Sequence, residues 1–115
     1  MASQETCNWI GTSGQKYLYY VFPRRPEIAP ADGNYIYAKK NAEGRWVPVY
    51  IGEGDLSKRA SGDHHRIKCI DLKQATHVHM HLNATKAARR DEEQDLLSNY
   101  KNALAPHGCN ISPTG

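Results

Sequence analysis

The sequence predicts a small α/β (α+β) domain: a central antiparallel β-sheet of three strands flanked by helices, with an N-terminal β-hairpin added. Three observations predict it. The chain has 115 residues, enough for one domain with its own core. Segments 35–38, 46–51 and 76–82 are short, rich in β-branched and aromatic residues, and alternate in polarity. Segment 84–105 instead repeats its apolar residues at helical spacing and is bounded by Asn83 and Pro106.

The elements follow in order. Trp9-Ile10 and Lys16-Tyr-Leu-Tyr-Tyr-Val-Phe22 flank the Gly11-to-Gly14 turn and form the hairpin. Three prolines between Pro23 and Pro30 make a loop. Strand 35–38 turns through Asn41 to Gly44 into strand 46–51. Pro48 has no amide hydrogen, which puts that strand at an edge or a bulge. Asp55 caps a short helix over 56–60, which Gly62 stops. Strand 76–82 follows, then the long helix from the Asn83 cap to Pro106 and Gly108. The organisation is a hairpin and loop over 1–32, the main α/β unit over 33–110, and a loose tail over 111–115.

The pleat puts Ile36, Ala38, Val47, Val49, Ile51, Val78, Met80 and Leu82 on a helix-facing side. Tyr35, Tyr37, Tyr50, His77, His79 and His81 then share the other. On the long helix, Leu97, Tyr100 and Leu104 lie within about 40° of Glu93, whereas Asp91 and Glu92 point away. A carboxylate in the core-facing stripe costs several kcal/mol unless it is paired or holds a metal. Arg89 or Arg90 would be the bland partner.

Composition excludes other classes. Hydrophobic residues are 39% and charged residues 23%, neither a disordered nor a membrane composition. No apolar run reaches the ~20 residues of a spanning helix, and the first five residues do not resemble a signal peptide. Three cysteines, Cys7, Cys69 and Cys109, without CxxC spacing, argue against a disulfide framework and suit a cytoplasmic location. The net charge is +3, and residues 34–73, with 8 basic and 5 acidic side chains, hold the whole surplus.

Tyr35-Ile36-Tyr37 and Tyr50-Ile51-Gly52 lie on successive strands, followed by Arg59, His64-His65, Glu93-x-x-Leu96-Leu97 and Pro106-x-x-x-Asn110. This order resembles the GIY-YIG nuclease family over about residues 33–110, with Tyr35 where the family has glycine. The resemblance implies an endonuclease that hydrolyses DNA phosphodiesters with one divalent metal, Mg²⁺ or Mn²⁺. It implies Tyr37 as general base, Tyr50 as the second active-site tyrosine, and Arg59 as the phosphate clamp. Glu93 is the implied metal ligand, Asn110 closes the site, and His64 is the preferred member of the histidine doublet. Gly52, Lys58, His65 and, from its strand face, His79 are expected at the substrate. The chemistry is apt. A guanidinium fork bonds two phosphate oxygens at once, and Mg²⁺ binds through one or two carboxylates plus the phosphate. DNA is the expected partner, with no membrane. A homodimer or a separate recognition protein is expected to supply specificity.

Two other classes compete. His77-x-His79-x-His81 is the spacing of a zinc site on one strand face. Tyr17, Tyr19 and Tyr20 with Arg24 and Arg25 would suit a non-catalytic nucleic-acid-binding module.

Overall fold

A computed structural model describes residues 4–61 and 64–112. Its strands are β1 (Thr6–Ile10), β2 (Lys16–Pro23), β3 (Asp32–Lys40), β4 (Trp46–Asp55) and β5 (His77–Leu82). Its helices are α1 (Leu56–Arg59), α2 (Ile67–Leu72) and α3 (Lys86–Asn99), followed by a 3-10 turn, Lys101–Ala103. All five strands form one antiparallel sheet in the order β1-β2-β5-β3-β4. The expected three-strand sheet with an added hairpin is therefore corrected. β2 bonds directly to β5, Val21 opposite His79, so the hairpin is two strands of the sheet.

Register corrects the faces as well. Tyr37 lies opposite Tyr50 and Val78, and Tyr35 opposite Gly52 and Met80. Directly opposed residues project to the same side. Val78 and Met80 thus join the tyrosines, while His77, His79 and His81 lie on the side of Ile36 and Ile51. The tyrosine side is covered by Leu56 and Ala60 at α1, Ile70 of α2, and Ala75. The other side packs Trp9, Tyr19, Ile36 and Ile51 against Leu96, Leu97 and Ala103. With both sides covered, polarity alternation in β5 does not say which set faces which layer. His79 is buried there because Trp9 Nε1–H donates to its Nδ1 at 3.0 Å.

Pro48 meets both expectations. β4 is an edge strand, and its register slips between Tyr37 and Ala38, with Tyr50 and Pro48 opposing them. The slip leaves Val49 as the extra residue and turns it into the tyrosine-side core, away from Ile51. Asp55 caps α1, its carboxylate accepting from the Ser57 amide at 3.0 Å. Gly62 lies outside the described residues.

α3 is shorter than expected. Asn83 does not cap it: its Nδ2 donates to Asn34 and its amide to Asp32, so it extends the end of β5. Thr85 is the N-cap, and Tyr100 leaves the helix at ψ 67°. α2 was not expected at all. Cys69 on α2 is joined to Cys109 by a disulfide spanning 40 residues, which removes the ground for expecting unpaired cysteines in a reducing cytoplasm. Cys7 is free. Among the described residues, no helix is long and apolar enough to cross a membrane.

Candidate active site

A polar cleft of about 290 Å³ opens along the β4 edge. Its floor is Tyr35, Tyr50 and Gly52. Arg59 and His65 form the α1 side, and Arg90 and Glu93 the α3 side, with Glu53 between. Gly52 is required here: a Cβ would fall 2.4 Å from the Tyr35 hydroxyl. α3 packs on the far side of the sheet but reaches the cleft because β4 is the edge strand and Glu93 looks past it.

The floor is wired from the backbone outward. The Arg66 amide donates to His64 Nδ1 at 2.9 Å, so the neutral ring carries its proton on Nε2. Nε2–H donates to the Tyr35 hydroxyl at 2.6 Å, and the Tyr35 ring stacks on that of Tyr50, centroids 6.1 Å apart. Burial, then the charges of His65, Arg59 and Arg66, hold His64 down at about 3, so it stays neutral. His65 is exposed, with its Nδ1 3.4 Å from an Arg59 guanidinium nitrogen. Slight burial and then Arg59 lower its pKa. Burial, then the Glu93 carboxylate, raise the Tyr50 phenol.

Glu93 is 7% exposed and has no ion-pair partner among the described residues. Burial first, then the nearby Glu53 carboxylate, push it up to about 7. The bland pairing with Arg89 does not occur: Arg89 bonds Glu53 at 2.9 Å and the carbonyls of Asn83 and Ala84 at 3.0 Å each. Glu92, expected to point away, is buried between Tyr19 and His81, both of which bond its carboxylate.

Not every expected residue reaches the cleft. Tyr37 is fully buried, and its hydroxyl donates to the Arg59 carbonyl at 2.6 Å, fixing the end of α1. His64 lies behind Tyr35, and Lys58 is exposed on α1 outside the cleft lining. Expected at the substrate, His79 lies instead on the opposite side of the sheet. Asn110 is fully buried and acts as a substitute strand partner. Its Oδ1 accepts from the Ile51 amide and its Nδ2 donates to the Ile51 carbonyl, both at 2.9 Å. Asn110→Ala is expected to cost about 2–4 kcal/mol in urea melts, because both Ile51 groups are left unpaired beside the cleft. Stability within 0.5 kcal/mol of wild type would contradict that role.

Tyr35, Glu53 and Arg90 were missed as cleft residues. The signal for Arg90 was its place three residues before Glu93, on the same helix face. The two carboxylates, Glu93 and Glu53, are hard oxygen donors of the kind Mg²⁺ takes one or two of. Among the described residues, no group of three or more His, Cys, Asp or Glu converges, so the zinc expectation on His77, His79 and His81 has no cluster behind it. The aromatic-basic surface is also largely occupied. Tyr17 bonds Asp95, Tyr19 bonds Glu92, and Arg24 and Arg25 pair with Asp71. No family model, curated protein or solved structure matches the chain.

Proposed function

We propose that the β4-edge cleft is the site of a divalent-metal-dependent endonuclease acting on DNA phosphodiesters. The observation that carries this is Glu93, a buried carboxylate without an ion-pair partner among the described residues, sharing a polar cleft with the exposed Arg59 guanidinium. A structural carboxylate at such a site would be paired, as Glu92 is.

Arg59 forks onto the non-bridging phosphate oxygens and offsets their charge. Tyr50, kept protonated at neutral pH, donates a hydrogen bond to the phosphate rather than acting as a base. As Arg59 turns to the phosphate it releases His65 Nδ1, 3.4 Å away, and that nitrogen takes the proton of the attacking water as the new P–O bond forms. The bond to the leaving oxygen breaks, and that oxygen takes its proton from solvent water. Mg²⁺ or Mn²⁺, when held by Glu93 and Glu53, supplies charge neutralisation at the phosphate and a more acidic water. Tyr37 acts by positioning Arg59, and Asn110 by fixing β4 at Ile51. One site cuts one strand per event, so double-strand cleavage calls for a second protomer or a separate partner.

The test is cleavage of a labelled DNA duplex by wild type, Arg59→Ala, Tyr50→Phe and Tyr37→Phe. Arg59→Ala is expected to lose on the order of 10²–10³ in rate. Tyr50→Phe is expected to lose more than Tyr37→Phe. The reverse order would return the base role to Tyr37. No cleavage of duplex, branched or single-stranded DNA by wild type, in Mg²⁺ or Mn²⁺, would reject the proposal.

A further inference from the structure

Arg89 and Arg90 are neighbours with opposite fates. Arg89 is buried: its Nε bonds Glu53, and its Nη1 bonds two carbonyls and lies 3.8 Å from Asp32. Arg89 rather than Arg90 takes up Glu53. Arg90 is exposed, lines the cleft, and makes no hydrogen bond or ion pair among the described residues. Its position three residues before Glu93 places both on one helix face. Across the cleft, on the α1 side, stands the other exposed guanidinium, Arg59.

Two exposed guanidinium groups on opposite sides of one polar cleft exceed what a single phosphodiester charge requires. We propose that Arg90 binds the phosphate adjoining the scissile one, so that the cleft takes an internal linkage of a polynucleotide strand running from the α1 side to the α3 side. The inference rests on the endonuclease proposal above and assigns Arg90, which that proposal leaves without a role, to binding the strand. A small diester or a mononucleotide has no second phosphate for Arg90 to hold.

The experiment compares two substrates, a DNA oligonucleotide and bis(p-nitrophenyl) phosphate, with wild type, Arg90→Ala, Arg90→Lys and Arg59→Ala. Arg90→Ala is expected to raise the oligonucleotide KM about tenfold. It should lower the ratio of oligonucleotide to small-diester kcat/KM by a similar factor, and reduce the salt slope of oligonucleotide binding by about 0.7–0.9, the release from one phosphate contact. Arg90→Lys, which keeps the charge, should recover most of the slope. Arg59→Ala should depress both substrates together and leave their ratio near that of wild type. An equal loss on both substrates in Arg90→Ala would place Arg90 at the scissile phosphate and overturn the inference. So would an unchanged KM and salt slope. Either result leaves the phosphodiesterase proposal standing if wild type cleaves. Wild type that neither binds nor cleaves either substrate would bring down both.

Discussion

Glu93→Gln is expected to raise thermal stability at pH 8 while reducing DNA cleavage by on the order of 10³-fold. The two effects share one cause. Burial and the Glu53 carboxylate hold the folded Glu93 at about 7, against an ordinary 4.5. Below pH 4.5 the group is protonated in both states and costs nothing. Between 4.5 and 7 the unfolded chain releases the proton and the folded chain keeps it. The folded state then binds more protons, so stability falls as pH rises, and levels off above 7. The loss is of order 1–3 kcal/mol, discounted because the cleft is open to water. Glutamine cannot ionise and lacks this slope. Millimolar Mn²⁺ should raise the wild-type melting temperature at pH 8 and leave Glu93→Gln unmoved. Melting curves from pH 4 to 8, with and without the ion, check it. Identical pH slopes in the two proteins would show that Glu93 is not the strained group.

Removal of the disulfide gives the second large effect. Cys69→Ser with Cys109→Ser is expected to lose about 4 kcal/mol, from the loop entropy of a 40-residue separation. The location makes the damage local as well. Cys109 precedes Asn110, its amide donates to the Val49 carbonyl, and its own carbonyl accepts from Arg66 Nε at 3.1 Å. The bond therefore ties α2 and the His64–Arg66 turn to the outer edge of β4. Hydrogen exchange should quicken at Val49–Ile51 in the double variant. Thiol titration of the unfolded, unreduced wild type should find one free thiol, Cys7; three would show that the bond does not form.

Local features were legible in the chain because local chemistry decides them. Both hairpin turns, the Asp55 cap and the edge position of β4 at Pro48 follow from residues that act within a few positions. Pairing of β2 with β5 was not legible, since 16–23 and 77–82 meet only in the fold. The β5 faces were misjudged for a related reason. Strict alternation identified the strand, but a histidine face passes for a solvated one until Trp9 and Trp46 are found to cover His79. At the site, helical phase found Glu93. The same phase misplaced Glu92, whose partners Tyr19 and His81 come from distant strands. Arg59 and Tyr50 were carried by motif order. Tyr37 and Asn110 were found by the same motifs, but their polar atoms are spent on the Arg59 carbonyl and the Ile51 backbone. Arg90 carried only its place three residues before Glu93, because one more basic residue on a helix is ordinary until its neighbour Arg89 is seen to take Glu53.

Conversion of supercoiled plasmid to nicked circle tests the central claim most directly, with wild type beside Glu93→Gln in Mg²⁺ and in Mn²⁺. Metal-dependent nicking by wild type, with Glu93→Gln folded and inactive, is the predicted result. Nicking that persists in Glu93→Gln, or that survives chelation of the metal, would contradict it.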